Sequence, residues 1–315
     1  MNTQLVNIPG TLVPLMLAAL LGGIAPSLAS ATTININPIK DNTLYEFVPL
    51  DGDRSNALGV HFFAGMTAES LIRRGVLAFN IAGSIPPGST ITSVSLSMNM
   101  SRTISDTRTV ELHVLLADWG EGTSNADAQE GEGAPATPND ATWRHRFYNT
   151  IFWTTQGGDF SATASASQSV GGIGVYIWNS AQMVADVQSW LDNPATNFGW
   201  LVLGDESTSP TSKRFDTRES PSPPVLTIAY TEPASITLSA RGRKVGGINT
   251  VRLRWMGATS TNIDVYRDGV VIVTTANDGE YIDSTDDTGR VRYTYKVCEA
   301  GTQSCSNNAR VTFQQ

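Results

Sequence analysis

Charge is scarce in this sequence. Lys, Arg, Asp and Glu make up 16% of the 315 residues, and lysine occurs only four times, whereas charged residues are about a quarter of an ordinary soluble domain. The formal net charge is -8, so we expect no broad basic surface and no nucleic acid as a partner. Because 40% of the residues are hydrophobic, the chain has enough apolar material to fold. Ser and Thr, 64 in number, supply most of the polar surface.

Long hydrophobic runs are missing too. The apolar run at residues 12–24 is interrupted by Pro14 and is too short to cross a bilayer, so no membrane span is predicted. Ala29-Ser30-Ala31 follows with the A-x-A pattern of a cleavage site. We predict a secretory signal peptide at residues 1–31, although no Lys or Arg precedes the run. The alternative is a buried helix, which the prolines disfavour. The protein is therefore expected to be secreted, extracellular or at the cell surface.

Cysteine occurs only twice, as Cys298 and Cys305. Two strands meeting at the glycine-containing turn between them would bring the thiols within bridging distance, and an oxidising compartment would keep them joined. Two thiolates alone cannot complete a tetrahedral metal site, and His61, His113 and His145 lie far upstream. We predict a disulfide and no metal site.

The composition changes near Pro233, where a strand-like segment at residues 225–230 gives way to a short linker. Residues 32–233 hold 11 basic and 21 acidic residues, a net charge of -10, and residues 234–315 hold 10 and 8, a net charge of +2. We predict two domains with these bounds.

In the first domain, short segments such as residues 94–98 and 110–115 alternate apolar with polar side chains, which is typical of strands that bury one face. One segment has helical spacing, beginning after Ser180 and stopped by Pro194. The acidic segment 120–141 predicts a long solvated surface loop, with a calcium site or a ligand-contacting lid as the alternatives. The pattern indicates an all-β, two-sheet sandwich with one short helix.

The second domain is a run of strand signals. Residues 251–255 alternate with Trp255 inward, Asp268-Gly269 marks a tight hairpin turn, and residues 291–297 are rich in tyrosine. The whole segment resembles a fibronectin type III domain, which implies a smaller β-sandwich.

Ordered landmarks along the first domain are more specific than its composition. They are Asp41-Asn42-Thr43-Leu44-Tyr45, Ile85-Pro86-Pro87-Gly88, Trp119-Gly120-Glu121, Thr142-Trp143, Phe152-Trp153, Trp190-Leu191-Asp192-Asn193-Pro194 and Phe215-Asp216-Thr217-Arg218-Glu219. Together they resemble the DNRLRE, or disaggregatase-related, domain family. The resemblance implies a jelly-roll β-sandwich of secreted and cell-surface bacterial or archaeal proteins, often beside fibronectin type III modules. It also implies kinship with carbohydrate-binding modules, including one that recognises alginate. The acidic insertion before Thr142 departs from the family pattern.

Six of the seven tryptophans lie in the first domain. An exposed indole can stack on the C–H face of a sugar ring, but large rings also fill sandwich cores. We assign Trp119, Trp190 and Trp200 to packing. The carbohydrate-binding candidates are the aromatic residues beside polar loops, with packing as the alternative for each: Trp143, Trp153, Trp178, Tyr148 and Tyr176. For Asp41-Asn42 we favour a turn over calcium ligation, and for Arg218-Glu219 an internal ion pair over a ligand contact.

No catalytic motif stands out, and no carboxylate pair of the kind that a glycosidase needs can be selected. We predict a non-catalytic protein that binds extracellular or cell-surface polysaccharide through the first domain, with the second as a spacer. No cofactor is predicted, and calcium is left open. One alternative is a structural surface or matrix protein with protein partners, in which Trp143, Trp153 and Trp178 are all buried. Another is a polysaccharide lyase or hydrolase with a carboxylate-lined cleft.

Overall fold

A computed structural model describes residues 31–233 and 235–314. The predicted signal peptide lies outside the described residues, apart from Ala31. The described chain divides into two compact units, and the second begins at Ser235. No helix within the described residues is long and apolar enough to cross a membrane.

The first unit is built from short strands and one α-helix within residues 31–233. Its elements are β1 (Ala31–Ile36), β2 (Lys40–Tyr45), β3 (Arg54–Ser55), β4 (His61–Met66), β5 (Ile72–Ala78), β6 (Thr90–Thr103), β7 (Arg108–Leu115), β8 (Ala134–Pro135), β9 (His145–Phe147), β10 (Ile151–Phe152), β11 (Phe160–Val170), β12 (Gly174–Asn179), α1 (Ala181–Asp192), a 3₁₀ helix (Pro194–Thr196), β13 (Trp200–Leu203), β14 (Lys213–Asp216) and β15 (Val225–Thr231).

Eleven of these strands form one curled antiparallel sheet that folds into two layers. One layer holds β12, β6, β14, β15, β4 and β1, and the other holds β2, β5, β13, β7 and β11. The layers join where Gly65 of β4 pairs with Arg73 of β5. Between them lies the main core, with Phe62, Trp200 and Phe215 fully buried. The predicted all-β sandwich with one short helix is confirmed.

Helix α1 closes one side of this core. The Ser180 side chain accepts a hydrogen bond from the backbone N–H of Met183 at 3.0 Å, which caps the first turn. Met183, Val187 and Trp190 recur at helical spacing and are buried. The helix ends before Pro194, which cannot continue it, as the sequence pattern predicted.

The long excursion between β7 and β11, residues 116–159, covers the outer face of the second layer. Beneath it lies a second apolar cluster that includes Leu44, Val76 and Leu201. The prediction of a solvated acidic loop at residues 120–141 is wrong for two of its carboxylates, because Glu130 and Asp140 are buried. They accept hydrogen bonds from loop and strand backbone groups, which compensates for their loss of water.

The landmark Asp41-Asn42 is also not a turn. Both residues lie inside β2, paired antiparallel with β5, and are fully buried. The Asn42 side-chain oxygen accepts hydrogen bonds from the backbone N–H of Thr43 at 2.7 Å and of Asn56 at 2.9 Å. The short polar side chain of Asn42 thus accepts hydrogen bonds from nearby backbone N–H groups, while its own backbone stays in the extended strand conformation.

The second unit is a smaller sandwich of a three-stranded and a four-stranded sheet. Its strands are β16 (Thr237–Val245), β17 (Ile248–Met256), β18 (Asn262–Arg267), β19 (Val270–Ala276), β20 (Glu280–Ser284), β21 (Val291–Glu299) and β22 (Ala309–Phe313). Trp255 is buried in its core, and Asp268 and Gly269 both have positive φ in the turn between β18 and β19, as this hairpin type requires. Cys298 and Cys305 form the predicted disulfide.

Candidate functional site

The structure does not expose the three tryptophans chosen as carbohydrate-binding candidates. Trp143, Trp153 and Trp178 are 8%, 4% and 1% exposed. Stacking on a sugar needs an open ring face, so these side chains do not form a binding surface in this structure. Their burial agrees with the packing alternative that was given for each of them.

Each of these rings has an internal partner. Trp178 points inward from β12, and its Nε1 donates a hydrogen bond to the Val110 carbonyl at 2.9 Å. Trp153 Nε1 donates to the Thr142 carbonyl at 2.9 Å. The ring of Trp143 lies 5.0 Å from the Arg74 guanidinium. Trp143 and Trp153 are buried because the excursion folds back onto the sheet instead of extending into water.

The two tyrosine candidates are half-buried and have different surroundings. The Tyr176 hydroxyl donates to the Gly172 carbonyl at 2.6 Å and accepts from the Gly171 N–H at 3.0 Å, so it fixes the turn before β12. Tyr148 lies edge-on to the His145 ring, with centroids 5.2 Å apart. The five candidates therefore do not form one surface in the structure, and only Tyr148 lies beside an exposed aromatic side chain.

This surface is the hairpin of residues 145–152, formed by β9 and β10, which we call the aromatic hairpin. Phe152 is 61% exposed and is the only exposed aromatic residue in the described parts of the chain. One face of its ring stacks on His145, with centroids 4.2 Å apart and planes at 29°. The other face is left to solvent. Ile151 beside it is also exposed.

A single buried carboxylate, that of Asp53, anchors the aromatic hairpin. It accepts hydrogen bonds from Arg144 Nε and Thr142 Oγ1, both at 3.1 Å, and its Oδ1 lies 3.6 Å from His145 Nδ1. The Arg144 guanidinium also lies 3.8 Å from the centre of the Phe47 ring. These contacts fix the backbone on which His145 and Phe152 are mounted.

The charge states in this anchor follow from burial and from its ion pair. Burial alone would raise the pKa of Asp53, but the hydrogen bond and charge of Arg144 outweigh it and hold that pKa below its ordinary value. Burial lowers the pKa of His145, Arg144 lowers it further, and Asp53 opposes them only partly. At neutral pH the imidazole under Phe152 is therefore uncharged.

Polar groups surround the aromatic hairpin. Asn149, Thr150 and Thr154 are exposed, and Arg146 donates to the Asp118 carbonyl at 3.2 Å. An open ring bordered by amide, hydroxyl and guanidinium groups has the composition of a sugar-binding surface. Sequence reasoning did not select Phe152. No alternation of side chains marks it, because Ile151 and Phe152 are both exposed and the strand register shifts between them.

A groove of about 540 Å³ offers a different candidate, at the end of β13. It is lined by Thr109, Glu111, Leu203, Gly204, Asp205, Glu206 and Ser207. The Glu206 carboxylate takes two hydrogen bonds of 2.8 Å from Arg74. Hydrogen bonds from Ser207 lower the pKa of Asp205, the opposite of what a general acid requires. These two carboxylates are arranged as internal partners of cations and hydroxyls.

Histidine and carboxylate groups also meet beside β4. His61 Nδ1 lies 3.3 Å from Glu130 Oε2, and its Nε2 lies 3.6 Å from Asp216 Oδ1. Asn99 donates to the other oxygen of Asp216 at 2.6 Å. The Glu130 and Asp216 carboxylates thus already accept hydrogen bonds from donors within the protein. Within residues 31–233 and 235–314, no group of three or more His, Cys, Asp and Glu side chains is arranged to hold a metal ion.

The predicted ion pair of Arg218 and Glu219 is confirmed, with Nε and Oε1 2.9 Å apart. Arg218 also pairs with Glu121, and its backbone N–H donates to Asp41 Oδ2 at 2.9 Å. Asp41 Oδ1 is buried and has no hydrogen-bond partner among the residues that the structure describes. Burial raises the pKa of Asp41 well above its ordinary value, the Arg218 N–H lowers it, and Glu219 and Glu121 raise it further.

An Asp41→Asn substitution should therefore change how stability depends on pH. A raised folded-state pKa means that the folded protein binds more protons than the unfolded chain, so stability falls as pH rises from about 4. We expect the free energy of unfolding of D41N to equal that of the wild type near pH 4 and to exceed it at pH 7 by about 1–2 kcal/mol. Urea unfolding at both pH values measures this. A loss of stability at pH 7 larger than at pH 4 would show that the ionised carboxylate is required.

Comparisons with known proteins leave the family open. No family model matches the sequence, and no curated protein matches it. Among solved structures, it is similar to β-glucuronidases from Ruminococcus gnavus, Dictyoglomus thermophilum and an uncultured Clostridium sp., with TM-scores of 0.19, 0.22 and 0.20 and 8% identity each. The matches cover 92% of this chain but only 44%, 44% and 45% of those structures. The chain thus spans less than half their length. Because TM-scores near 0.2 define no common fold, no property of these enzymes is carried over.

Proposed function

We propose that this protein is an extracellular, non-catalytic polysaccharide-binding protein whose aromatic hairpin contacts the sugar chain. The observation that carries the proposal is Phe152, an open phenyl ring mounted on a buried imidazole and bordered by hydrogen-bonding groups. For this contact the second unit acts as a spacer. The binding residues differ from those chosen from the sequence, apart from Tyr148.

Two further features support the extracellular part of the proposal. The disulfide between Cys298 and Cys305 is of a kind that persists in oxidising compartments. The ordered landmarks of the first unit resemble a family of secreted and surface sandwiches related to carbohydrate-binding modules. Membership of that family is itself part of the proposal.

A Phe152→Ala substitution tests the proposal. We expect about ten- to hundredfold weaker binding of the whole chain, because covering a phenyl ring contributes about 1.5–3 kcal/mol. Binding to alginate, pectin and other matrix polysaccharides is measured by pull-down and titration, with and without calcium. The matched control is Ile104→Ala, which removes an exposed apolar side chain from the β6–β7 turn. Absence of wild-type binding to every polymer, or equal binding by F152A, would refute the proposal.

A structural surface or matrix protein with protein partners is the second candidate. The observation that favours it is the burial of Trp143, Trp153 and Trp178 together, as that alternative predicted. It requires that no polysaccharide binds the whole chain in the same assay.

A further inference from the structure

The outward face of the sheet formed by β16, β17 and β20 carries four exposed arginines. We call this set the arginine face: Arg241, Arg243, Arg252 and Arg254. Arg241 on β16 is the direct cross-strand partner of Arg252 on β17. Side chains two residues apart on a strand share a face, so all four project from the same side of the sheet.

The opposite side of these strands is closed against the core. Val251, Leu253 and Trp255 alternate with the arginines of β17 and are buried. Between the two arginines of β16, a Cβ added at Gly242 would lie 2.5 Å from a Val311 side-chain carbon. Glycine allows β22 to approach closely here, and the flanking arginines are left facing solvent.

The positive charge of the arginine face is not balanced locally. Glu280 on β20 accepts from Arg252 Nη2 at 2.5 Å and from Arg254 Nε at 3.1 Å, so one carboxylate serves two arginines. Arg241 and Arg243 form no ion pair with any residue that the structure describes. Like charges directly opposite each other destabilise a sheet, so internal stability does not account for the arrangement.

We propose that the arginine face binds a linear polysaccharide that carries carboxylate or sulfate groups. A guanidinium can hold such a group with two parallel hydrogen bonds. Met256 and Ile282 are 65% and 48% exposed on the same face. Ile282 is the cross-strand partner of Arg252, and Met256 follows Arg254 on β17, so apolar surface borders the charges and is available to the C–H faces of sugar rings. The proposal goes beyond the aromatic hairpin, because it concerns the other unit and a charged ligand.

The same geometry disfavours nucleic acid. The described residues of this face include no aromatic ring on which bases could stack, as single-strand binders use. The face also belongs to a three-stranded sheet, whereas duplex grooves are read by an inserted helix or two-stranded ribbon. Guanidinium groups with aliphatic neighbours suit an amphipathic chain of acidic sugars better.

Two triple variants of the whole chain test the proposal. The first changes Arg241, Arg243 and Arg252 to Gln, and the matched control changes Arg290, Arg292 and Arg310, which are exposed elsewhere in the second unit, to Gln. Both remove the same charge, and both also carry F152A, so the result does not depend on whether the aromatic hairpin binds. Affinity for alginate and for dextran sulfate is titrated over a range of salt concentrations, with uncharged dextran as the blank.

We expect the arginine-face variant to bind at least one of the two anionic polymers at least tenfold more weakly at low salt. Its slope of log affinity against log salt should be smaller by about three, roughly one for each arginine. The control variant should stay within about twofold of its F152A parent. Urea unfolding of both variants shows that the second unit remains folded.

Four results would overturn the proposal. They are equal losses in both triple variants, no loss in the arginine-face variant, tighter binding to DNA than to either polymer, and arginine-dependent self-association without polysaccharide binding. The last would identify the acidic unit of a second copy as the occupant. None of these outcomes depends on the Phe152 assay.

Discussion

Replacing Trp153 by alanine is expected to lower the free energy of unfolding of the first unit by about 3–5 kcal/mol. The ring is 4% exposed, lies in the cluster beneath the excursion and donates a hydrogen bond to Thr142. Its removal leaves both a cavity and an unpaired carbonyl. Urea unfolding monitored by far-UV circular dichroism measures the loss.

The neighbouring residue supplies the control. Phe152→Ala removes the adjacent aromatic ring, which is 61% exposed, so its cost in stability should be below about 1 kcal/mol. The two substitutions should then have different effects: W153A lowers stability, and F152A weakens the polysaccharide binding of the aromatic hairpin without a comparable loss of stability. If W153A unfolded like the wild type but failed to bind, the sequence-based choice of Trp153 as a ligand residue would be reinstated.

Replacing Glu130 by alanine should cost the first unit about 3–4 kcal/mol. The carboxylate accepts hydrogen bonds from the backbone N–H of His61 at 2.8 Å, the Asn56 side chain at 3.0 Å and the backbone N–H of Val60 at 3.2 Å. Each donor left buried without a partner costs about 1–3 kcal/mol. Hydrogen exchange at the Val60 and His61 amides should accelerate together with the loss seen in urea unfolding.

Glu132→Ala is the control for this change, since its side chain is 87% exposed in the same loop and lies 4.0 Å from Arg73. The Glu132 carboxylate lies in water, and the buried Arg73 keeps its hydrogen bonds to the Gly131 and Ile72 carbonyls. We therefore expect a change below about 0.5 kcal/mol. Similar costs for E130A and E132A would mean that the loop is held by its general charge and not by the buried carboxylate.

The parts of the fold that the sequence predicts correctly depend on interactions between residues close together in the chain. Ser180 caps the one α-helix, Asp268-Gly269 forms the hairpin turn and the two cysteines pair, because each depends on near neighbours in the chain. The family resemblance of the first unit stays a prediction.

The errors concern residues whose surroundings come from distant segments. Trp143 and Trp153 lie in a cluster with residues of β2 and β5, which are more than sixty residues away in the chain, and Glu130 finds its partners on the segment leading into β4. Nothing in the local composition of residues 116–159 signals that they fold back. Phe152 was missed for the same reason, since its neighbour Ile151 is exposed as well and no local pattern distinguishes the open ring.

The anchor at Asp53 has a consequence for the thermodynamics of recognition. Because one carboxylate holds Arg144, Thr142 and His145, the ring of Phe152 is supported in its outward orientation before any ligand arrives. A preorganised surface loses little conformational entropy on association. The contact area of the Phe152 ring then contributes nearly in full to the binding free energy. A small binding surface is therefore sufficient for a long polymer, because every repeat unit along the polymer offers another weak binding site.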